Sequence, residues 1–202
     1  MNQNHLLSTT FADVLERKQI MDFGIKPLWP GMPAASGPAY PVACAPGDNL
    51  MLHAAIYRAP RGSVIVVQAG DMDFAVAGGN VCATARKNGI AGFVIDGLIR
   101  DLAEVRDCGF PVFARGIIPK PGGKKGEGIL NGKVICGGVQ VSPGDLVVAD
   151  EEGIAVVPAD QIQQVCSAAE QRAAKDAAQS LEDWEKNHRA KVDSILKTKG
   201  LL

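Results

Sequence analysis

The chain has 202 residues, 47% apolar and 21% charged, with a formal net charge of −1 from 21 basic and 22 acidic side chains. That length and apolar content allow one large domain whose core needs neither disulfides nor a structural metal. The balanced, interspersed charge provides no basic stripe for nucleic acid and no reason to expect a membrane surface as partner, and no apolar run approaches the roughly 18 residues of a spanning helix.

The first five residues, Met1 to His5, lack the basic and then apolar regions of a secretory signal, so a cytoplasmic protein is expected. Residues 8–20 read as a short helix capped by Ser8, Thr9 or Thr10, with Val14, Leu15 and Ile20 on its apolar side. Residues 27–49, rich in Pro, Gly and Ala, read as an irregular connection leading into a strand near Ala39–Cys44. A helix is expected over Asn49–Tyr57. Next comes a continuously apolar, β-branched strand at Ser63–Gln68, of the kind buried on both faces. A helix at Asn80–Asn88 stops at Gly89, a strand follows at Ala91–Asp96, a helix at Leu102–Cys108 stops at Gly109, and Pro111–Ala114 is a third strand. This alternation is the signature of an α/β domain.

Beyond residue 115 the pattern changes. Pro119–Gly128 reads as a flexible, locally basic loop, solvated first and a mobile lid second. Four short strand-like runs at Lys133–Cys136, Val139–Val141, Leu146–Ala149 and Ile154–Val157 then suggest a β meander, with Asp145 and Asp150 serving its turns. A single long helix begins near Asp160, its plausible cap, and carries Ile162, Val165, Ala169, Ala173, Ala177, Leu181, Trp184, Val192 and Ile195 at helical spacing. The chain thus divides into a domain at 1–158 and a C-terminal helical arm at 159–202, expected to serve oligomerisation. Cys44, Cys82, Cys108, Cys136 and Cys166 are odd in number and form no C-x-x-C pair, so they read as small buried hydrophobes with free thiols.

The segment from Gly70 to Glu104 carries the chemistry. Gly78-Gly79 precedes a helix, so the N–H groups of Gly79, Asn80 and Val81 would be free to bind a carboxylate or phosphate. Arg100 and Asp101 lie just beyond a strand's carboxyl end, where ligands gather in open α/β sheets. Arginine offers a planar fork to a carboxylate or a polarised keto oxygen, and aspartate is a hard ligand for Mg²⁺ or Mn²⁺. Glu104, three residues on, shares a helix face with Asp101 and could hold a metal-bound water. Together these parts describe a site for a small 2-oxo acid. The same residues also read more plainly as a turn and a surface charge pair, with Asp71 and Asp73 capping a loop. Of the histidines, His5 and His188 read as solvated and His53 as packed.

Gly79, twenty residues, Arg100-Asp101, two residues and Glu104 resemble the signature of the class II aldolases for 4-hydroxy-4-methyl-2-oxoglutarate, a family that includes the regulator of ribonuclease activity A (RraA). Gly89-x-x-Gly92-x-x-x-Asp96-Gly97, the run from Pro111 to Gly116 and the run from Gly144 to Asp150 agree, and the likeness covers roughly residues 8–165. The resemblance implies an α/β fold of the swivelling β/β/α type, assembled into homotrimers or homohexamers with sites between subunits. It implies that Asp101 binds the divalent metal (Mg²⁺ or Mn²⁺), that Glu104 acts through metal-bound water, that Arg100 contacts substrate, and that Gly78, Gly79, Asn80 and Val81 receive the pyruvyl carboxylate. The implied activity is retro-aldol cleavage of a 4-hydroxy-2-oxo acid to pyruvate, with oxaloacetate decarboxylation. The alternative within the family is a non-catalytic regulator that binds and inhibits a ribonuclease.

Overall fold

The structure is a computed structural model that describes residues 6–202; the expected position of His5 lies outside them. After a short helix α1 (Ser8–Ala12), the chain enters β1 (Lys26–Pro27), β2 (Ala35–Cys44), α2 (Leu50–Ala55), β3 (Val64–Gln68), β4 (Ala75–Ala77) and α3 (Gly79–Lys87). Then come β5 (Gly92–Ile99), α4 (Leu102–Asp107), β6 (Val112–Ile117), β7 (Gly128–Leu130), β8 (Val134–Cys136), β9 (Val139–Val141), β10 (Leu146–Ala149) and β11 (Ile154–Val157). Helices α5 (Ile162–Ala177) and α6 (Leu181–Thr198) close the described chain.

The main sheet runs in the order β1-β6-β5-β3-β2-β10-β11, with β4 added to β5 and β7 to β2. Its centre is parallel, β2 to β3 to β5 to β6, as the alternating strands and helices require. The continuous apolar runs of β3 and β5 follow from coverage on both faces. Ile65, Val67 and Ile95 pack with Leu52, Cys82, Ala85 and Val105 of the helices. Val64, Val66 and Val94 pack instead with Val134, Cys136, Val139, Val141, Val147 and Val156 of the later strands. The result is three layers, strand on sheet on helix, in which each fully buried valine or isoleucine contributes about 1.5–3 kcal/mol. Among the described residues no helix is long and apolar enough to cross a membrane.

Five expectations are corrected in detail. The helix over 8–20 ends at Ala12 and is followed by a separate 3₁₀ turn at Arg17–Gln19. Ser8 caps nothing: its N–H and hydroxyl both donate to the Asp150 carboxylate, at 2.7 Å each, while Glu16 and Gln19 form a reciprocal cap that starts the new turn. The four late strands do not form one meander. Gly137 and Gly138, both at positive φ, close β8 and β9 into a hairpin of their own, whereas β10 and β11 join the main sheet along the first half of β2.

The long C-terminal helix is two helices. Ser180 accepts the N–H of Asp183 at 3.1 Å and caps α6, a start signal inside what reads as one periodic run. The first half of α5 buries Val165, Cys166 and Ala169 against Phe11, Leu146, Val148 and Val157, so it packs as part of the body, whereas α6 carries no buried residue. Asp160 makes no capping bond, because Ala159–Gln161 is a 3₁₀ turn ahead of α5.

Candidate active site

Two short strands set the site. β4 and β5 run parallel with Ala77 beside Ile99, so the residues that follow each strand emerge side by side. Gly78-Gly79 follow β4 and Arg100-Asp101 follow β5, and the Arg100 N–H donates to the Ala77 carbonyl at 3.0 Å. β5 reaches β4 by leaving β3 after Asp96, with a register shift on its other edge between Ile95 and Leu98. Gly97 permits this crossing, since a Cβ there would collide with the Ala69 methyl.

α3 starts at Gly79 with Gly78 as its cap and no side-chain capping bond. The Gly79 N–H donates weakly to Asp101 Oδ2 at 3.3 Å, and those of Asn80 and Val81 meet no acceptor among the described residues. These are the free donors that suit an anion. Both glycines are demanded by their neighbours. A Cβ on Gly78 would lie 2.5 Å from Asp101 Oδ2, and one on Gly79 would fall on the Glu104 carboxylate, 2.7 Å from the Glu104 Cβ.

Asp101 adopts the left-handed conformation (φ 57°, ψ 41°), uncommon for a residue with a side chain, as the cap of α4. Its carboxylate stands 3.3 Å from the Arg100 Nε, and both side chains are substantially exposed. So loose a pair stabilises the fold little and leaves both groups available to a ligand.

A pocket of about 130 Å³ opens here, lined by Gly78, Asn80, Val81, Arg100 and Asp101 on one part and by Asn49, His53, Gly122 and Lys124 on another. Five of the seven expected site residues thus share one wall. Gly79 and Glu104 lie just outside it, packed against each other. His53 and Lys124 were expected to be packed and solvated, respectively; the fold brings both to the pocket. Burial, and then the nearby Lys124 charge, push the His53 imidazole below its ordinary value, so it is neutral at pH 7.

The loop at 119–128 departs from expectation for the same reason. The Ala75 N–H donates to the Lys120 carbonyl at 2.8 Å and the Gly122 N–H to the Ala75 carbonyl at 3.0 Å. Asn49 donates from its backbone to Gly123 at 2.9 Å and from its amide to Gly122 at 3.1 Å, and the Asp48 carboxylate accepts the Lys125 N–H. The segment through Lys125 is therefore pinned between β4 and the start of α2. Backbone bonds of this kind leave no mark in residue type, whereas the three-residue β4 was too short to read.

Asp71, Asp145 and Asp150, set aside as structural, are so placed, whereas Asp73 is exposed and, among the described residues, only donates its N–H to Asp71. Asp71 accepts the N–H groups of Gly47, Asp73 and Phe74, Asp145 those of Ser142 and Ala159, and Asp150 that of Glu152. His188 is exposed and stacks on Trp184.

Among the described residues no three His, Cys, Asp or Glu side chains converge as a metal cage. The donors at the pocket are instead one weakly engaged Asp101 carboxylate with Glu104 a helical turn beyond. That set suits a hard cation that keeps several waters, Mg²⁺ or Mn²⁺, and does not suit zinc.

The chain matches, over residues 6–156, the RraA-like family described as Aldolase/RraA. It is 41% identical over 172 residues, 85% of its length and 81% of the other's, to a Halalkalibacterium halodurans protein provisionally named 4-hydroxy-4-methyl-2-oxoglutarate aldolase. Among solved structures, Streptomyces coelicolor RraAS2, described as an unusual member of the RNase ES inhibitor RraA family, is similar with a TM-score of 0.73 and 30% identity. That match covers 94% of this chain and 96% of the other. The RNA-processing inhibitor RraA from Thermus thermophilis gives a TM-score of 0.68 at 26% identity, covering 75% and 92% respectively. These neighbours share the layered fold described above.

Proposed function

Because the chain belongs to the Aldolase/RraA family, we propose that it is a divalent-metal-dependent carbon–carbon lyase. It cleaves a 4-hydroxy-2-oxo acid, of the 4-hydroxy-4-methyl-2-oxoglutarate type, to pyruvate and also decarboxylates oxaloacetate. The observation that carries this reading is the convergence of Arg100, Asp101 and the free N–H groups at the start of α3 on one pocket.

In this reading the N–H groups of Asn80 and Val81 donate to the substrate's C1 carboxylate, held at the positive end of α3. Arg100 directs its guanidinium at the C2 oxygen. When the C4 hydroxyl gives its proton to a solvent water, the C3–C4 bond breaks, C4 becomes a carbonyl, and the electron pair moves into an enolate whose oxygen charge Arg100 balances. Protonation at C3 then gives pyruvate; loss of CO₂ from oxaloacetate produces the same enolate. Asp101, with Glu104 through water, would hold Mg²⁺ or Mn²⁺, which when bound supplies Lewis-acid polarisation of the keto group. Lys124, a second cation on the pocket, suits the far carboxylate of a dicarboxylic substrate.

Arg100 and Asp101 also border a shallower apolar depression lined by Leu102, Ile117, Ile118 and Pro119, with Ile117 exposed. An open apolar flank beside the reacting groups supports a homotrimer or homohexamer in which a neighbouring subunit completes the site.

The inhibitor names of two structural neighbours favour a second reading, a non-catalytic regulator that binds a ribonuclease. The two are separated by following oxaloacetate consumption and pyruvate release with Mg²⁺ or Mn²⁺ and then with EDTA. Turnover that appears with metal and disappears with chelator is the expected result. No turnover of oxaloacetate or of 4-hydroxy-2-oxo acids in either condition would favour the regulator.

A further inference from the structure

Helix α6 stands apart from the layered body with an apolar stripe uncovered. None of its residues is buried; Leu181 is 79% exposed, Trp184 49%, Val192 37% and Ile195 45%. At 3.6 residues per turn these four and His188 fall within an arc of about 80°. The His188 ring extends the apolar surface by stacking flat on Trp184, with centroids 4.5 Å apart.

The stripe reads the same from either end. His188 is its centre; Trp184 and Val192 stand one turn to either side, and Leu181 and Ile195 two turns to either side. The charges are polarised about the same centre. Glu182, Asp183 and Glu185 precede His188, with Lys186 the exception; Arg189, Lys191 and Lys197 follow it, with Asp193 the exception.

We infer that α6 is a self-association helix, pairing antiparallel with α6 of a second copy of this chain about a twofold axis at His188. A twofold interface must be complementary to itself, and this stripe is. Antiparallel pairing sets Leu181 on Ile195, Trp184 on Val192 and His188 on its counterpart. It also lays the acidic start of each helix beside the basic end of the other and opposes the two helix dipoles. Parallel pairing would bring acid against acid and tryptophan against tryptophan, and an unrelated partner would give the stripe no reason for its symmetry. The stripe is about 21 Å long, so the contact is small and the association depends on concentration. It rests on α6 alone and stands whether or not the chain is a lyase.

Cysteine cross-linking in the full chain tests it. Packed helices lie about 8–10 Å apart, which leaves facing Cα atoms about 3.4–5.4 Å apart, within disulfide reach at the wider spacings. Under mild oxidation His188→Cys alone is expected to give a covalent dimer. Leu181→Cys and Ile195→Cys are each expected to stay uncross-linked alone and to cross-link when mixed. The wild-type chain, with four buried cysteines and a half-buried Cys108, sets the background.

Cross-linking of all three single variants with themselves would show parallel pairing and overturn the proposal, as would the absence of cross-links in every single and mixed sample. Trp184→Glu, on a helix that supports no core, is expected to halve the mass measured by sedimentation at a concentration where the wild type associates. An unchanged mass would equally overturn the pairing.

Discussion

Asp101 is held in a conformation that L residues avoid, at a cost of about 1 kcal/mol, and its two polar contacts are both 3.3 Å long. Contacts that weak do not offset the strain, which points to a role for the carboxylate itself. Asn tolerates the left-handed region and preserves the shape, so Asp101→Asn is expected to change stability by less than about 0.5 kcal/mol while abolishing metal-dependent turnover. Asp101→Gly is expected to be about 1 kcal/mol more stable in denaturant titration and equally inactive. Retained turnover in the Asn variant would remove Asp101 from the metal site; a destabilised Gly variant would show that the long contacts matter more than the strain. Arg100 and Asp101 were legible in the sequence because they are adjacent and follow a recognisable strand. His53 and Lys124 were not, since each comes to the pocket through α2 or a pinned loop whose contacts span the chain.

At the scale of elements, the close approach of α3 and α4 depends on Gly79, whose Cα is covered by Glu104. Its backbone needs no left-handed conformation, so Gly79→Ala tests the contact alone. The added methyl would displace Glu104 and is expected to cost about 1–3 kcal/mol. Combining it with Glu104→Ala should recover part of that loss, since the carboxylate is removed but the Cβ at 2.7 Å remains. Urea titrations of both single variants and the double variant measure the coupling, and strictly additive losses would mean the two helices already have room. Glycines at this seam were readable as a helix start but not as a packing requirement, because that depends on which helix lies opposite. The buried strands β3, β5 and β6 were legible because their apolar runs reflect coverage on both faces. The pairing of β10 with β2 was not, since an apolar four-residue strand carries no indication of its neighbour.

Across the whole molecule, Arg115 joins the layers. Its Nε contacts Asp96 Oδ1 at 2.5 Å on β5, and its two terminal nitrogens donate to Asp22 at 3.0 and 2.6 Å. The second Asp96 oxygen accepts the Gly137 N–H at 2.8 Å, so one guanidinium links β5, β6, the turn at Asp22 and the β8–β9 hairpin. Replacing it with Met would leave Asp96, half-buried, without its cation. That loss is expected to cost about 1–3 kcal/mol, with the more exposed Asp22 contact adding less than about 1 kcal/mol. The hydrogen bonds from Arg115 hold the Asp22 carboxyl below its ordinary value. A depressed folded-state value means that the stabilisation is fully present above the unfolded value, near about 4, and is lost as the pH falls through the folded value. The difference in denaturation midpoint between wild type and Arg115→Met should therefore be greatest at pH 7, nearly unchanged at pH 5 and smaller at pH 3. A difference that persists undiminished at pH 3 would show that the Asp22 contact adds nothing to the joint, leaving it to the Asp96 pair and the packing of the Arg115 stem.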